Sequence, residues 1–218
     1  ELASPEAGKI ALRAGNADIV VTDWLWVSRE RGLGARLTFY PYSSALGAVM
    51  VPATSPINTL ADLKGKSFAF GSVSSTSGSL MPRYFMLQDG IKPETYFSRV
   101  GYSGAHDATV AWVQAGKVDA GVLNASVWEK LVKAGKVDTD KVKVFATTPA
   151  YFDYNWTVRG TLDPALAEKI KVAFLALDPA NPEQKAILDL QAASRFIETK
   201  PENYKGIEEA ARAADLLK

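Results

Sequence analysis

The sequence predicts an α/β fold with mixed, mostly parallel sheets and a helical C-terminus, on three grounds. Short apolar runs such as Ile19-Val20-Val21 and Phe68-Ala69-Phe70 alternate with stretches of helical periodicity. Strands alternating with helices of about ten residues indicate parallel sheets with crossover helices. Glycine closes several of the helical stretches, as at Gly65, Gly90 and Gly116, and glycine tolerates the left-handed backbone that ends a helix. Beyond Thr161 the pattern is almost wholly helical.

The elements follow in order. A helix is predicted over 7–14, then a buried strand over 17–21, with Gly15 between them. Apolar runs at 36–40 and 46–51 predict two further strands. Residues 59–65 read as a short helix capped by Thr59 and stopped by Gly65. A strand over 67–70 precedes a helix over 78–88, ended by Gly90. Strands are expected at 99–102, 118–123, 142–147 and 155–158, with helices at 105–115 and 126–134. The C-terminal helices are expected at 163–177, 182–190 and 207–217, their Lys and Glu residues forming solvated faces. Trp112, with Val110 and Val113 nearby, and Trp128 read as core residues.

One unit occurs twice. Gly15-Asn16-Ala17-Asp18-Ile19-Val20-Val21 and Gly116-Lys117-Val118-Asp119-Ala120-Gly121-Val122 each place a helix stop, a turn and an aspartate before an apolar strand. The repetition points to two similar lobes, and the alternative is coincidence, because such loops commonly use Gly and Asp.

Composition narrows the function. A chain of 218 residues can bury a core as one large domain or two small lobes. Twenty-five basic residues against 24 acidic ones, with no basic stripe, give nucleic-acid binding no support. There is no cysteine and His106 is the single histidine, which excludes zinc sites built on those residues, thiol catalysis and disulfides. No cofactor is expected. No apolar run reaches the ~20 residues of a spanning helix. No signal peptide or lipidation site is recognisable, so a mature or trimmed chain is expected.

The most informative stretch is Phe68-Ala69-Phe70-Gly71-Ser72-Val73-Ser74-Ser75-Thr76-Ser77-Gly78. It reads as a strand, a polar loop and a helix N-terminus, where backbone N–H groups lack partners and the helix dipole is positive. Hydroxyls of Ser75, Thr76 and Ser77 beside those amides would suit a tetrahedral oxyanion. An ordinary N-cap is the alternative, although a cap needs one hydroxyl and this loop supplies several.

Several segments carry a family resemblance. The Ser67 to Met81 stretch is similar to the phosphonate/phosphite/selenate group of ABC-transporter periplasmic binding proteins. So are Tyr102-Ser103-Gly104-Ala105-His106-Asp107-Ala108-Thr109, the run from Gly116 to Trp128, and Thr148-Pro149-Ala150-Tyr151-Phe152-Asp153-Tyr154. The segment Leu60-Ala61-Asp62-Leu63-Lys64-Gly65-Lys66 resembles a phrase of the wider superfamily. The resemblance implies two α/β lobes that close over a ligand. Residues 1–71 and 151–218 would form lobe 1, residues 72–150 lobe 2, and the passages near Gly71 and Pro149 the hinge.

By the same resemblance, Ser75, Thr76, Ser77 and His106 would hold the oxyanion, and Asp153 a substrate amine or a protonated oxygen. Ser126 stands where amine-selecting phosphonate binders carry a second acid, and the cysteine of the family's arsenite sensors is absent. The N-terminal third, with Trp24, Tyr40 and Tyr42, resembles sulfonate, nitrate and thiamine-precursor binders instead, and those aromatics would face the ligand. A sulfonate or taurine-type ligand and a truncated or chimeric scaffold are therefore alternatives. The first strand-helix unit usual in such proteins is missing, so a compromised lobe 1, self-association or loss of binding is expected.

Ser77, His106 and Asp107 or Asp153 could be drawn as a catalytic triad, but there is no Gly-x-Ser-x-Gly elbow, and no enzyme is expected. An effector domain of a regulator would carry a helix-turn-helix, which is absent. The expectation is a periplasmic solute-binding protein for phosphonate, phosphite, phosphate, selenate or a similar anion, serving an ABC permease or a sensor.

Overall fold

The computed structural model describes residues 5–32, 38–41, 44–45, 47–191 and 193–218. The chain divides into two units: residues 1–44, 152–208 and 217 form the first, and residues 45–151, 209–216 and 218 the second.

The first unit is built on an antiparallel sheet of β1 (Ile19–Thr22), β10 (Asn155–Val158) and β2 (Thr38–Pro41), with β10 in the middle. Ile19 pairs with Val158 and Thr22 with Asn155 on one side, and Trp156 pairs with Tyr40 on the other. Around it lie α1 (Pro5–Ala14), α2 (Trp24–Gly32), α7 (Pro164–Leu175) and α8 (Pro182–Leu190). Asp23 starts α2 by accepting from the Trp26 N–H at 2.8 Å. The apolar content of this helix falls on no single face, since Trp24, Leu25, Val27 and Glu30 are all buried. That is why periodicity did not forecast α2. Arg13 of α1 forms an ion pair with the buried Glu30. The aromatic packing runs from Trp156 to Phe174 and on to Phe196.

The second unit contains a five-stranded sheet in the order β6-β5-β7-β4-β8. Its strands are β4 (Gly47–Pro52), β5 (Ser67–Phe70), β6 (Arg99–Tyr102), β7 (Ala120–Asn124) and β8 (Val142–Thr147). Alternation assigns the faces. Val49, Val51, Phe68, Phe70, Ala120 and Val122 pack on one side with Met86 and Phe97. Ala48, Met50, Ala69 and Leu123 pack on the other with Val110 and Val113. Met86 belongs to α3 (Met81–Gln88), while Val110 and Val113 belong to α5 (His106–Gln114). Burial on both faces explains strands that read as continuous apolar runs. Trp112 and Trp128 pack against the second cluster, as the sequence predicts. A Cβ at Gly121 would meet Thr109 Cγ2 at 2.7 Å, so glycine lets α5 lie close on the sheet.

The α/β class and mixed sheet are as expected, but the expectation of mostly parallel pairing is corrected, since among the described strands antiparallel pairs predominate. β5 runs parallel to β6 and β7, whereas β4 is antiparallel to both β7 and β8. The domain boundary also differs from expectation. β4 and β5 share a sheet with β7, so residues 45–71 belong with the second unit. Gly71 is therefore an exit from a strand within one unit. The division falls between Ser44 and Ala45 and between Tyr151 and Phe152.

Candidate functional site

The predicted anion loop lies wholly in the second unit, where β5, β6 and β7 end. Gly71 leaves β5 and its N–H donates to the Gly78 carbonyl at 2.8 Å. Ser75 caps the next turn, its Oγ accepting from the Gly78 N–H at 3.1 Å. The turn Thr76–Leu80 is wide, with the Met81 N–H reaching back to the Thr76 carbonyl, and α3 follows at Met81. The expected helix start at Gly78 is thus a π turn, a geometry frequent at functional sites.

This arrangement leaves donors over. The Ser75 carbonyl accepts from both Ser79 N–H and Leu80 N–H, at 3.0 and 2.9 Å. Among the described residues, the N–H groups and hydroxyls of Thr76 and Ser77 have no hydrogen-bond acceptor, although these residues are 8% and 4% exposed. Buried backbone N–H groups are seldom left orphaned. The wide turn therefore presents four donors to something other than the described chain.

His106 opens α5, and the backbone approaches it closely. A Cβ at Gly78 would sit 3.2 Å from His106 Cε1, 3.3 Å from Gly71 Cα and 2.9 Å from Ser75 Oγ. Only glycine lets the turn nest here. The Asn124 N–H lies 3.5 Å from His106 Nδ1, which assigns the proton of the neutral ring to Nε2. Burial pushes the imidazole below its ordinary value of 6.5, while the neighbouring Asp107 draws it part of the way back. The ring is then neutral at pH 7, with its Nε2–H as the group able to donate. Because the folded value is the lower one, this group's contribution to stability is complete above pH 6.5 and is lost as pH falls toward the folded value. Melting temperature between pH 7.5 and 5 should therefore fall more steeply in the native protein than in His106→Gln. Parallel curves would contradict this.

Asn124 ends β7 and caps α6 (Ala125–Lys133) by accepting from Ser126 N–H at 2.8 Å and Val127 N–H at 3.4 Å. Its Oδ1 also accepts from the Ser126 hydroxyl at 2.7 Å. An open cavity of about 430 Å³ adjoins these elements, its walls including Gly71, Ser75, His106, Asp107, Val127 and Leu131. Ser75 and His106 belong to this wall; Thr76 and Ser77 do not.

The remaining predicted residues lie in the first unit. Asp153 is 3% exposed, beside Tyr204. The Tyr204 hydroxyl is pushed up to about 12, chiefly by burial and further by the Asp153 charge, against hydrogen bonds from Thr199 and Asn155. Trp24 is 1% exposed, stacks on Tyr204 with centroids 4.3 Å apart, and donates from Nε1 to Glu208 at 2.9 Å. Its expected role as a ligand-facing aromatic is corrected to core packing, because Tyr204 covers a face of the indole and the polar edge is committed. Tyr40 lies on β2 opposite Trp156. Tyr42 lies outside the described residues. Sequence reasoning missed Asn124 and Gly78 as site builders, although an Asn before an amphipathic run is a recognisable cap signal.

The sequence model for phosphonate periplasmic substrate-binding proteins of ABC transporters matches residues 7–204. The chain belongs to this family. A Probable ABC transporter phosphite binding protein of Prochlorococcus marinus (strain MIT 9301) is 40% identical over 169 residues, covering 75% of this chain and 57% of that protein. The Phosphonates-binding periplasmic protein of Escherichia coli (strain K12) is 28% identical over 145 residues, covering 65% and 42%. The chain thus spans 57% and 42% of the lengths of these two curated relatives. Among solved structures, PhnD1 from Prochlorococcus marinus in complex with methylphosphonate superposes with a TM-score of 0.78 at 32% identity, covering 97% of this chain and 84% of that one. The periplasmic aliphatic sulphonate binding protein of Escherichia coli, at 20% identity and a TM-score of 0.65, covering 97% and 77%, shares the fold. The phosphonate-binding family is a substrate-binding component of transporters, with a two-lobed α/β architecture.

Proposed function

We propose that this protein is the solute-binding component of an ABC transporter and takes a small tetrahedral oxyanion of the phosphite or phosphonate class. The observation that carries the reading is the set of unaccepted donors at Thr76 and Ser77, next to a neutral His106 whose Nε2–H is able to donate. Amides, hydroxyls and an imidazole at a helix start suit an anion recognised by directional hydrogen bonds. The phosphite-binding relative and the methylphosphonate complex support the choice of a phosphorus oxyanion. Ser75 shapes the turn by capping it and is a residue of the cavity wall. Asp153 and Tyr40, in the other unit, are assigned to the ligand by the family resemblance, Asp153 as acceptor for a protonated oxygen. An extracytoplasmic, periplasmic location and delivery to a permease or a sensor follow from the same reading.

Each hydrogen bond to the anion is worth ~1.5–3 kcal/mol. Ligand at a hundredfold excess over Kd should stabilise the protein by about 2.7 kcal/mol. The test is thermal stabilisation and calorimetric titration with phosphite, methylphosphonate, phosphate, selenate, sulfate and taurine. Phosphite or methylphosphonate should raise the melting temperature of the native protein. The double variant Thr76→Val, Ser77→Ala should weaken binding by roughly a hundredfold or more. A response to taurine alone, or an unchanged response in the double variant, would overturn the assignment.

A further inference from the structure

Pro82 stands at the second position of α3, directly after the wide turn of the anion loop. A helix running unbroken from Thr76 through α3 would place Pro82 in its interior, with Gly78 four residues earlier. Proline has no N–H to offer that carbonyl, and its ring collides with it. The chain answers by turning the Gly78 carbonyl outward, where it accepts from the Gly71 N–H at 2.8 Å. The Leu80 and Met81 N–H groups each reach five residues back, to the Ser75 and Thr76 carbonyls. The next bond of that series, from position 82 to the Ser77 carbonyl, needs the N–H that proline lacks, so the wide turn stops there. Pro82 is buried against the turn: its Cγ and the Ser77 carbonyl oxygen lie 3.3 and 3.5 Å from one point, the Cβ position of Gly47.

The wide turn carries a cost that an α turn would avoid. The Ser75 carbonyl is taken by the Ser79 and Leu80 N–H groups, at 3.0 and 2.9 Å. The Ser79 hydroxyl, 1% exposed, finds no hydrogen-bond partner among the described residues. In an α turn the Leu80 N–H would move to the Thr76 carbonyl. The Ser75 carbonyl would then be open to the Ser79 hydroxyl, four residues on, a bond serines commonly make in helices. Something must hold the turn wide against that gain.

We infer that Pro82 is a positioning residue for the anion: by barring the α register it keeps the turn wide, ties Gly78 to Gly71, and so aims the Thr76 and Ser77 donors. The inference rests on the proposed oxyanion reading and names what sets the geometry of that site. Pro82 acts through the turn and brings no donor of its own.

The experiment compares the native chain with Pro82→Ala and Pro82→Gly, by calorimetric titration with phosphite and methylphosphonate and by amide hydrogen exchange without ligand. Both variants remove the ring and restore an N–H, but alanine favours the α-helix and glycine does not. Pro82→Ala should bind about tenfold or more weakly, as for the loss of one hydrogen bond to a charged group, and Pro82→Gly should fall between it and the native protein. In Pro82→Ala the new amide at position 82 should be protected from exchange, and the Gly71 amide should lose its protection. A loss caused only by missing ring packing would give the opposite order, with glycine the weaker binder. Binding by Pro82→Ala within twofold of native, weaker binding by Pro82→Gly than by Pro82→Ala, or a Gly71 amide equally protected in all three would overturn the inference. Melting temperature without ligand checks that each variant folds; if Pro82→Ala does not, native affinity and native Gly71 protection in Pro82→Gly overturn the inference. If the native protein binds neither anion, the oxyanion reading fails, and the Gly71 exchange still decides whether Pro82 sets the turn.

Discussion

Gly78→Ala is expected to remove the thermal response to phosphite and methylphosphonate while leaving the chain folded. The new methyl would lie 2.9 Å from Ser75 Oγ, 3.2 Å from His106 Cε1 and 3.3 Å from Gly71 Cα. Ser75 can swing its hydroxyl away, but it then gives up the cap on the Gly78 N–H, a loss of about 1 kcal/mol. The ring and the Gly71 backbone have less room to yield, and such overpacking costs ~1–3 kcal/mol. For a chain of this size the melting temperature should drop by about 2–4 °C per kcal/mol. The larger effect is on function, because the turn that presents the Thr76 and Ser77 donors must move. Thermal denaturation with and without ligand reads both effects. A ligand-induced shift in Gly78→Ala equal to that of the native protein would show that the close approach does not shape the site.

Phe68→Ala should produce the largest loss of stability in the second unit. Phe68 is fully buried in β5, stacked on Phe97 with centroids 4.6 Å apart and tilted against Phe70 at 4.9 Å. Truncating a core phenylalanine costs ~3–5 kcal/mol, a large part of the ~5–15 kcal/mol that holds a typical domain. Tryptophan fluorescence during urea unfolding reports it, because Trp112 and Trp128 lie in the second unit. The midpoint of that unit should move down sharply. A change below about 1 kcal/mol would mean that the aromatic stack is not the centre of its core.

Much of this fold was legible in the sequence because local rules and tertiary packing agree in the second unit. β5, β6 and β8 fall where the apolar runs predict them. Gly65, Gly90 and Gly116, all with positive φ, stand where helical stretches stop. α2 was not legible because burial on several faces removes the periodic contrast that marks an amphipathic helix. The position of β4 was not legible either, since antiparallel pairing with β7 and β8 links segments far apart in the chain. At the site, the hydroxyl-rich loop and His106 could be read from residue types. Their juxtaposition could not, because it depends on Gly71 and Gly78 meeting across a π turn. Trp24 carried no sequence signal separating a ligand-facing ring from one stacked on Tyr204, whose position lies far along the chain.

The central place of β10 between β1 and β2 has a consequence for biogenesis. A ribosome delivers both outer strands more than a hundred residues before the strand that joins them. Residues 45–151, by contrast, contain every strand of the five-stranded sheet. Domains generally fold as units, so the middle of the polypeptide can acquire its native hydrogen bonding while the earlier N-terminal portion still waits for β10.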